Sequence, residues 1–173
     1  MTTRILISFF CDDRPGVIED LSGVINEHNG NWLESQLSRL GGQFAGVLRA
    51  QVPEAQFDAI NIALTDLSAK GITASMSLAR DVTQAPGETQ RLSLLGPDRP
   101  GIVRELTRAL KSAGFNVLSM QTQVETAAMS GEPLFRAEAS IELGAESRLD
   151  ELEWKLDALA EAMTLEIDLR AAS

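Results

Sequence analysis

Two copies of one four-residue motif bring together a carboxylate, a guanidinium group, a proline and a glycine. The motif Asp-Arg-Pro-Gly occupies residues 13–16 and recurs at residues 98–101, an offset of 85 residues. The same offset holds without a gap from Ser8 to Gln36. Charged side chains beside a glycine can bind a small charged ligand, because glycine lets the ligand approach the backbone closely. The repeat therefore marks two candidate sites in two homologous units.

The residues around each copy predict a turn between a strand and a helix. An apolar run precedes each motif, at 5–10 and at 92–95, and an apolar stripe with helical spacing follows it. We expect the proline at the start of the helix, where its missing N–H group is not needed. Asp13 and Asp98 are expected near the N-cap, where a carboxylate accepts a backbone N–H group. The remaining free N–H groups and the helix dipole would then favour an anion such as a carboxylate.

The candidate ligand contacts follow from this predicted turn. A ligand carboxylate would lie against the turn backbone, formed by Gly16, Val17 and Ile18 in the first copy and by Gly101, Ile102 and Val103 in the second. Its ammonium group needs acceptors, for which the candidates are Asp12, Asp13, Asp98 and the side-chain carbonyls of Asn31 and Asn116. Arg14 and Arg99 are candidates to clamp a carboxylate through two hydrogen bonds.

Each of these assignments has a purely structural alternative. The motif is also a well-formed helix start of a kind found in many folds. The asparagines suit a helix-to-strand turn, because asparagine tolerates left-handed backbone. The arginines could be exposed or paired with the neighbouring aspartates. Gln36 and Gln121 are interpreted as residues of a solvated strand face.

Catalytic or metal chemistry is not expected. Cys11 precedes the first turn, whereas His28 lies at the far end of the first predicted helix, about 18 Å from its start at 1.5 Å per residue. The second repeat has Gly96 and Ala113 at these positions. We therefore expect an inert thiol, no enzyme activity and no cofactor. No His/Cys cluster with metal-ligand spacing and no Walker-type phosphate loop occurs in the sequence.

The charge balance argues against nucleic acid as a direct partner. The chain of 173 residues has a net charge of −10, and both halves are acidic, with 10 acidic and 6 basic residues in 1–82 and 15 and 9 in 83–173. Direct DNA binding depends on Lys and Arg that neutralise phosphates, and neither half has a basic patch in its sequence. No apolar run is long enough for a membrane span. The single cysteine and the lack of a signal-peptide pattern lead us to expect a cytoplasmic protein.

The chain is expected to fold as two α+β units. We assign 1–82 to the first unit, 83–90 to a linker and 91–173 to the second. Periodicity predicts strands at 5–10, 31–39, 44–52 and 72–78 and helices from 17 and 54, and the second half repeats this order with a longer hairpin loop. The order βαββαβ is the ferredoxin-like arrangement. Gly30 is expected to end the first helix and Ser147 to cap the last one.

These features resemble tandem ACT domains, over nearly the whole chain. The resemblance rests on two ferredoxin-like units, each with Asp-Arg-Pro-Gly at the first turn and an asparagine entering the second strand. In length and order the chain looks most like the glycine cleavage system transcriptional repressor group. The resemblance implies a small amino acid ligand, with glycine first, bound beside the turn and often at an interface between paired units. It also implies action through a transcription activator protein, and it leaves open that two chains pair as a homodimer.

The resulting hypothesis is a non-enzymatic amino-acid sensor that acts through protein contacts. The alternatives are a constitutive interaction module, or an ACT regulatory subunit of a separate enzyme, without ligand binding. Hydrolases with ACT domains carry a separate catalytic domain.

We also expect the two sites to differ in affinity for the ligand, because Trp32 follows one asparagine and Val117 follows the other. Replacing Gly16 or Gly101 by valine is expected to cost less than about 1 kcal/mol of stability if the glycine φ is negative.

Overall fold

The chain divides into two units, Met1–Val82 and Thr83–Ser173. The computed structural model describes residues 1–80, 87–128, 130–144 and 147–171. The first half of the linker assigned to 83–90, residues 83–86, lies outside the described residues, and its last two residues already belong to a strand that begins at Thr89.

The first unit has the predicted order βαββαβ. Its elements are β1 (Thr2–Asp12), α1 (Val17–Glu27), β2 (Asn31–Leu40), β3 (Gln43–Pro53), α2 (Phe57–Asp66) and β4 (Ile72–Leu78). Short 3-10 turns at Glu54–Gln56 and Leu67–Lys70 flank α2. The four strands form an antiparallel sheet in the order β2-β3-β1-β4.

The second unit repeats this architecture. Its elements are β5 (Thr89–Pro97), α3 (Ile102–Ser112), β6 (Phe115–Thr126), β7 (Pro133–Leu143), α4 (Leu149–Met163) and β8 (Glu166–Ala171). The strand order is β6-β7-β5-β8, again antiparallel. The predicted α+β class with two ferredoxin-like units is confirmed.

Alternating apolar residues fix each turn against a core. From Ile5 to Cys11 of β1 the odd-numbered side chains are buried and the even-numbered ones are exposed, since successive side chains point to opposite faces of a sheet. The helices cover the buried face with Val17, Leu21, Val24 and Ile25 from α1 and with Ile60 and Leu64 from α2. Each fully buried aliphatic side chain contributes about 1.5–3 kcal/mol. In the second unit, α3 covers the sheet with Ile102, Leu106 and Leu110, and α4 with Leu152 and Leu156.

The predicted roles of two residues at helix ends are wrong, although α1 ends near the predicted position, with His28 as its C-cap. Asn29, with φ 57°, adopts the left-handed conformation that ends α1, whereas Gly30 follows it and donates from its N–H group to the carbonyl of Ile25 at 2.8 Å. A Cβ atom on Gly30 would lie 2.9 Å from the Ile25 side chain, so close packing requires a glycine at this position. Ser147 does not cap α4; its hydroxyl donates to the carbonyl of Gly114 at 2.8 Å, and the N-cap is Arg148.

Candidate functional site

The two motif turns share an unusual helix start. Gly16 and Gly101 are the N-cap residues, with φ of 92° and 100°, in left-handed conformation. The first bonds of the two helices run from the Asp20 N–H group to the Gly16 carbonyl at 2.9 Å and from Glu105 to Gly101 at 3.0 Å. The first residues of a helix have no partner within it for their N–H groups, and no side chain caps α1 or α3. Both turns therefore present backbone donors that suit an anion.

The predicted roles of the proline and the aspartate within the motif are wrong. Pro15 and Pro100 lie one residue before the N-cap rather than at the first helical position. Asp13 does not cap α1, because the left-handed glycine occupies the N-cap. The Asp13 carboxylate instead accepts a hydrogen bond from Arg39 Nη1 at 3.1 Å. The backbone N–H group of Asp13 donates to the carbonyl of Gly42 at 2.9 Å.

In the first unit, the turn arginine is held by an ion-pair network. Arg14 Nη2 donates to Asp20 Oδ2 at 3.0 Å and to the Lys70 carbonyl at 3.1 Å. Lys70 Nζ lies 2.6 Å from the other oxygen of Asp20. Hydrogen bonds from Lys70 and Arg14 lower the pKa of Asp20 below its ordinary value. The Arg14 guanidinium group, a candidate carboxylate clamp, is thus paired with Asp20 of the helix that follows the turn.

The two aspartates before Arg14 also have partners within their unit. Asp12 Oδ1 accepts a hydrogen bond from Gln43 Nε2 at 2.7 Å, and Asp13 pairs with Arg39. A ligand at the first turn would have to displace these contacts in order to use the three charged side chains.

The second turn lacks the partners that close the first. Counting along the repeat, Pro97 replaces Asp12, Val124 replaces Arg39 and Leu134 replaces Gln43. Lys70 directly precedes the left-handed Gly71, and its counterpart before the left-handed Thr164 is Met163, which carries no charge. Glu105, the counterpart of Asp20, lies 3.9 Å from Arg108 of its own helix.

Among the described residues, the charged side chains of the second turn consequently have no partner. Asp98 and Arg99 are exposed, and within the described part of the chain neither side chain has a hydrogen bond or an ion pair. The Asp98 N–H group is bonded to the carbonyl of Pro133 at 3.0 Å, which fixes the backbone at this point. The turn therefore offers a carboxylate, a guanidinium group and backbone donors on a fixed backbone.

An open cavity of about 420 Å³ lies at the second turn. It is lined by Asp98, Arg99, Gly101, Ile102, Val103, Arg104 and Phe135. The first five are residues singled out from the sequence, so the structure brings them together. Sequence reasoning missed Arg104 and Phe135. Comparing the repeats would have pointed to Arg104, because the first unit has Glu19 at this position, and a cation in the first turn of a helix opposes the helix dipole.

The structure does not bring the asparagines to the turns of their own units. Asn31 pairs with Gln51, which is opposite Arg4 of β1, whereas Asp12 pairs with Gln43. Arg4 and Asp12 are eight residues apart, or about 26 Å along a strand. α1 runs back from the turn, so the next strand begins at the opposite end of the sheet.

The second unit separates its asparagine and its turn in the same way. Asn116 pairs with Glu142 and, through it, with Thr89, at the far end of β5 from Pro97. Trp32 and Val117 directly follow the two asparagines, so they also lie away from the turns. Trp32 and Val117 are therefore not the cause of any difference in ligand affinity between the two turns.

Cys11 and His28 are separated as well. Cys11 is buried with its sulfur 3.6 Å from the carbonyl oxygen of Phe44, and burial raises the pKa of the thiol. His28 lies at the other end of α1, where Nδ1 is 2.7 Å from the Val24 carbonyl oxygen. No cluster of three His, Cys, Asp or Glu residues suited to a metal occurs among the described residues. Among the helices in this part of the chain, none is long and apolar enough to cross a membrane.

Known proteins resemble this chain both in sequence and in fold. Residues 3–77, nearly all of the first unit, match the ACT domain family. A crystal structure of an unknown protein from Galdieria sulphuraria has a TM-score of 0.88 and 26% identity, with 100% of both chains covered. A crystal structure provisionally assigned as a glycine cleavage system transcriptional repressor has a TM-score of 0.73 and 17% identity, with 100% of this chain and 99% of that one covered. No curated protein matches this sequence significantly.

Proposed function

We propose that this chain, whose first unit is an ACT domain and whose second unit repeats the ACT fold, is a regulatory protein that senses a small amino acid. The observation that supports this proposal is the second-turn cavity. Five predicted residues line it, and its charged side chains Asp98 and Arg99 have no protein partner among the described residues.

The ligand would bind through both of its charged ends. Its carboxylate would accept hydrogen bonds from the N–H groups that begin α3, where the helix dipole favours an anion. Arg99 and Arg104 would add positive charge beside that carboxylate. The Asp98 carboxylate would pair with the ammonium group of the ligand. A small side chain would then lie towards the apolar lining, against Val103 and Phe135.

The first turn would bind an amino acid more weakly. Arg14 is already paired with Asp20, and Asp13 with Arg39, so ligand binding there must break existing ion pairs. The affinity difference expected from the sequence is thus retained in this proposal, with a different cause.

The signal would be transmitted through protein contact. A ligand shifts a protein between two arrangements only if it binds them with different affinity, so the free and the bound chain would present different surfaces to a partner. In its narrowest form, the proposal has glycine as the ligand, a transcription activator as the partner and glycine cleavage genes as the target. The likeness in fold to the structure assigned as a repressor supports this form.

Calorimetric titration tests the binding step. We expect glycine or serine, tested first among the common amino acids, to bind the full chain, and Asp98→Asn and Arg99→Ala to abolish the heat of binding. Arg108→Ala is the matched control, because this arginine is exposed on α3, the helix that follows the turn, and does not line the cavity. Absence of binding heat with every common amino acid would favour the constitutive interaction module instead.

A further inference from the structure

A large aromatic side chain lies exposed on the outer face of the second unit. Trp154, in the middle of α4, has a relative exposure of 70%. The core contacts of this helix come from the buried Leu152 and Leu156 and from the partly buried Leu149, Leu159 and Met163, so the indole is not needed to hold α4 on its sheet. Tryptophan is enriched among the residues that dominate binding energy at protein interfaces.

The first unit has an exposed apolar residue at the corresponding place. Ile62 follows the buried Ile60 by two residues, as Trp154 follows the buried Leu152, and its exposure is 62%. Both units thus present a large apolar side chain on the outer face of their second helix. The second unit differs in having an aromatic ring there and more carboxylates around it.

The carboxylates around Trp154 have no cationic partner among the residues that the structure describes. Asp150, Asp157 and Glu161 share its helix face at spacings of four, three and seven residues, and Glu153 is adjacent. Within the part of the chain that the structure describes, none of these four carboxylates forms an ion pair. The single lysine of α4, Lys155, contacts Glu151 at 2.5 Å and Ser112 Oγ at 2.7 Å.

We propose that this face of α4, centred on Trp154, binds an arginine- or lysine-bearing segment of a protein partner. Two interactions at this face favour a cation: the indole attracts a cation above its ring, and the carboxylates attract it electrostatically. Nucleic acids and anionic membranes are repelled by the same carboxylates. A second copy of this chain would bring an identical acidic face against the first, and like charges disfavour that pairing. The proposal goes beyond amino-acid sensing, because the α4 face shares no residue with the second-turn cavity.

The test uses a defined probe. A fluorescently labelled, alanine-based helical peptide with arginines at four-residue spacing is titrated with the full chain, and binding is followed by fluorescence anisotropy. The control peptide has glutamine in place of each arginine. We expect the arginine peptide to bind and the glutamine peptide not to bind.

Variants then locate the binding face. Trp154→Ala is expected to weaken binding about five- to tenfold, as loss of a cation–π contact and its packing requires. The double variant Asp157→Asn, Glu161→Gln is also expected to weaken it. The matched controls are Ile62→Ala, at the corresponding position of α2, and the double variant Glu19→Gln, Glu27→Gln, which removes the same charge from α1. Both controls should bind like the parent.

The proposal would be overturned if the arginine peptide did not bind, if the glutamine peptide bound equally well, or if Trp154→Ala left binding unchanged. Circular dichroism of each variant verifies the fold, which a change at an exposed residue should leave intact. Equal weakening by the control pair on α1 would show attraction to net charge alone and would also overturn it.

Discussion

Arg14 Nη2 lies 3.0 Å from Asp20 Oδ2, and this ion pair ties the guanidinium group of the first turn to the helix that follows it. The second unit has the same arginine, Arg99, but its Glu105 is oriented towards Arg108 instead. The absence of a lysine equivalent to Lys70 removes the second cation from that site. Two turns with one motif therefore differ in what they leave free for a ligand.

The first prediction concerns pH. Hydrogen bonds from Lys70 and Arg14 lower the pKa of Asp20 from 3.8, so the folded state binds its proton more weakly than the unfolded state does. The stability contributed by this network is complete above about pH 4 and is lost as the pH falls through the folded-state pKa. Thermal unfolding of the parent and of Asp20→Asn should differ at pH 7, and the difference should narrow towards pH 3.

Glu151, whose pKa is also lowered by its hydrogen bond from Lys155, is present in both proteins, so the comparison isolates Asp20. The control Glu153→Gln, at an exposed residue in the middle of α4 that forms no ion pair among the described residues, should unfold at the same temperature as the parent at pH 7. A difference between parent and Asp20→Asn that stays constant from pH 7 to pH 3 would contradict this assignment.

The second prediction concerns the turn glycines. The expected cost of less than about 1 kcal/mol for their replacement was conditional on a negative φ, and the observed values of 92° and 100° do not meet that condition. Gly16→Ala and Gly101→Ala should each destabilise the chain by about 1–2 kcal/mol, the cost of left-handed backbone for a residue with a Cβ atom.

Gly23→Ala is the matched control for these glycines. Gly23 lies within α1, and a Cβ atom there would meet nothing within 4 Å. This variant should therefore raise the thermal unfolding temperature, since alanine favours a helix by up to about 1 kcal/mol over glycine. Unchanged stability of the two turn variants would show that the backbone relaxes to a conformation other than the one observed.

The third prediction concerns Cys11. Burial raises the pKa of its thiol, so the reactive thiolate is depleted and reagents have little access to it. An alkylating reagent at pH 8 should modify the native protein far more slowly than the protein unfolded in urea. Mass spectrometry over time measures both rates, and equal rates would contradict the buried position.

The fourth prediction concerns DNA. With a net charge of −10, the pure protein should not retard duplex DNA in a mobility assay at physiological salt. Retardation that weakens as salt increases would reveal a basic surface formed by the fold. Regulation of transcription by this chain would then not require a second protein.

The repeat made the fold accessible from sequence. Apolar alternation in β1 and helical spacing after each motif were sufficient to predict the strand and helix order, because burial of one face dominates both patterns. Gly30 shows the limit of such reasoning: sequence suggested a conformational role, whereas its close contact with Ile25 depends on the packed core.

The candidate site was predictable only in part. Residues adjacent in sequence, from Asp98 to Val103, stay adjacent in the cavity, so local reasoning found them. Asn31 and Asn116 were placed at the turns without considering the direction of the intervening helix, which carries the chain to the other end of the sheet. The network of Asp20 with Lys70 joins residues 50 apart, and local pattern contains no signal for such a pair.

The most direct test of the account is the response of the backbone N–H groups at the two turns. In amide NMR spectra of the full chain titrated with the amino acid that binds in calorimetry, or with glycine if none does, the account predicts large shifts for Ile102, Val103 and Arg104. For Val17 and Ile18 it predicts amide shifts that are smaller than those of the second turn and that develop only at higher ligand concentration, because the Arg14–Asp20 ion pair closes the first turn. Shifts confined to the first turn, or no shift at either turn, would contradict the assignment of the second turn as the amino-acid site.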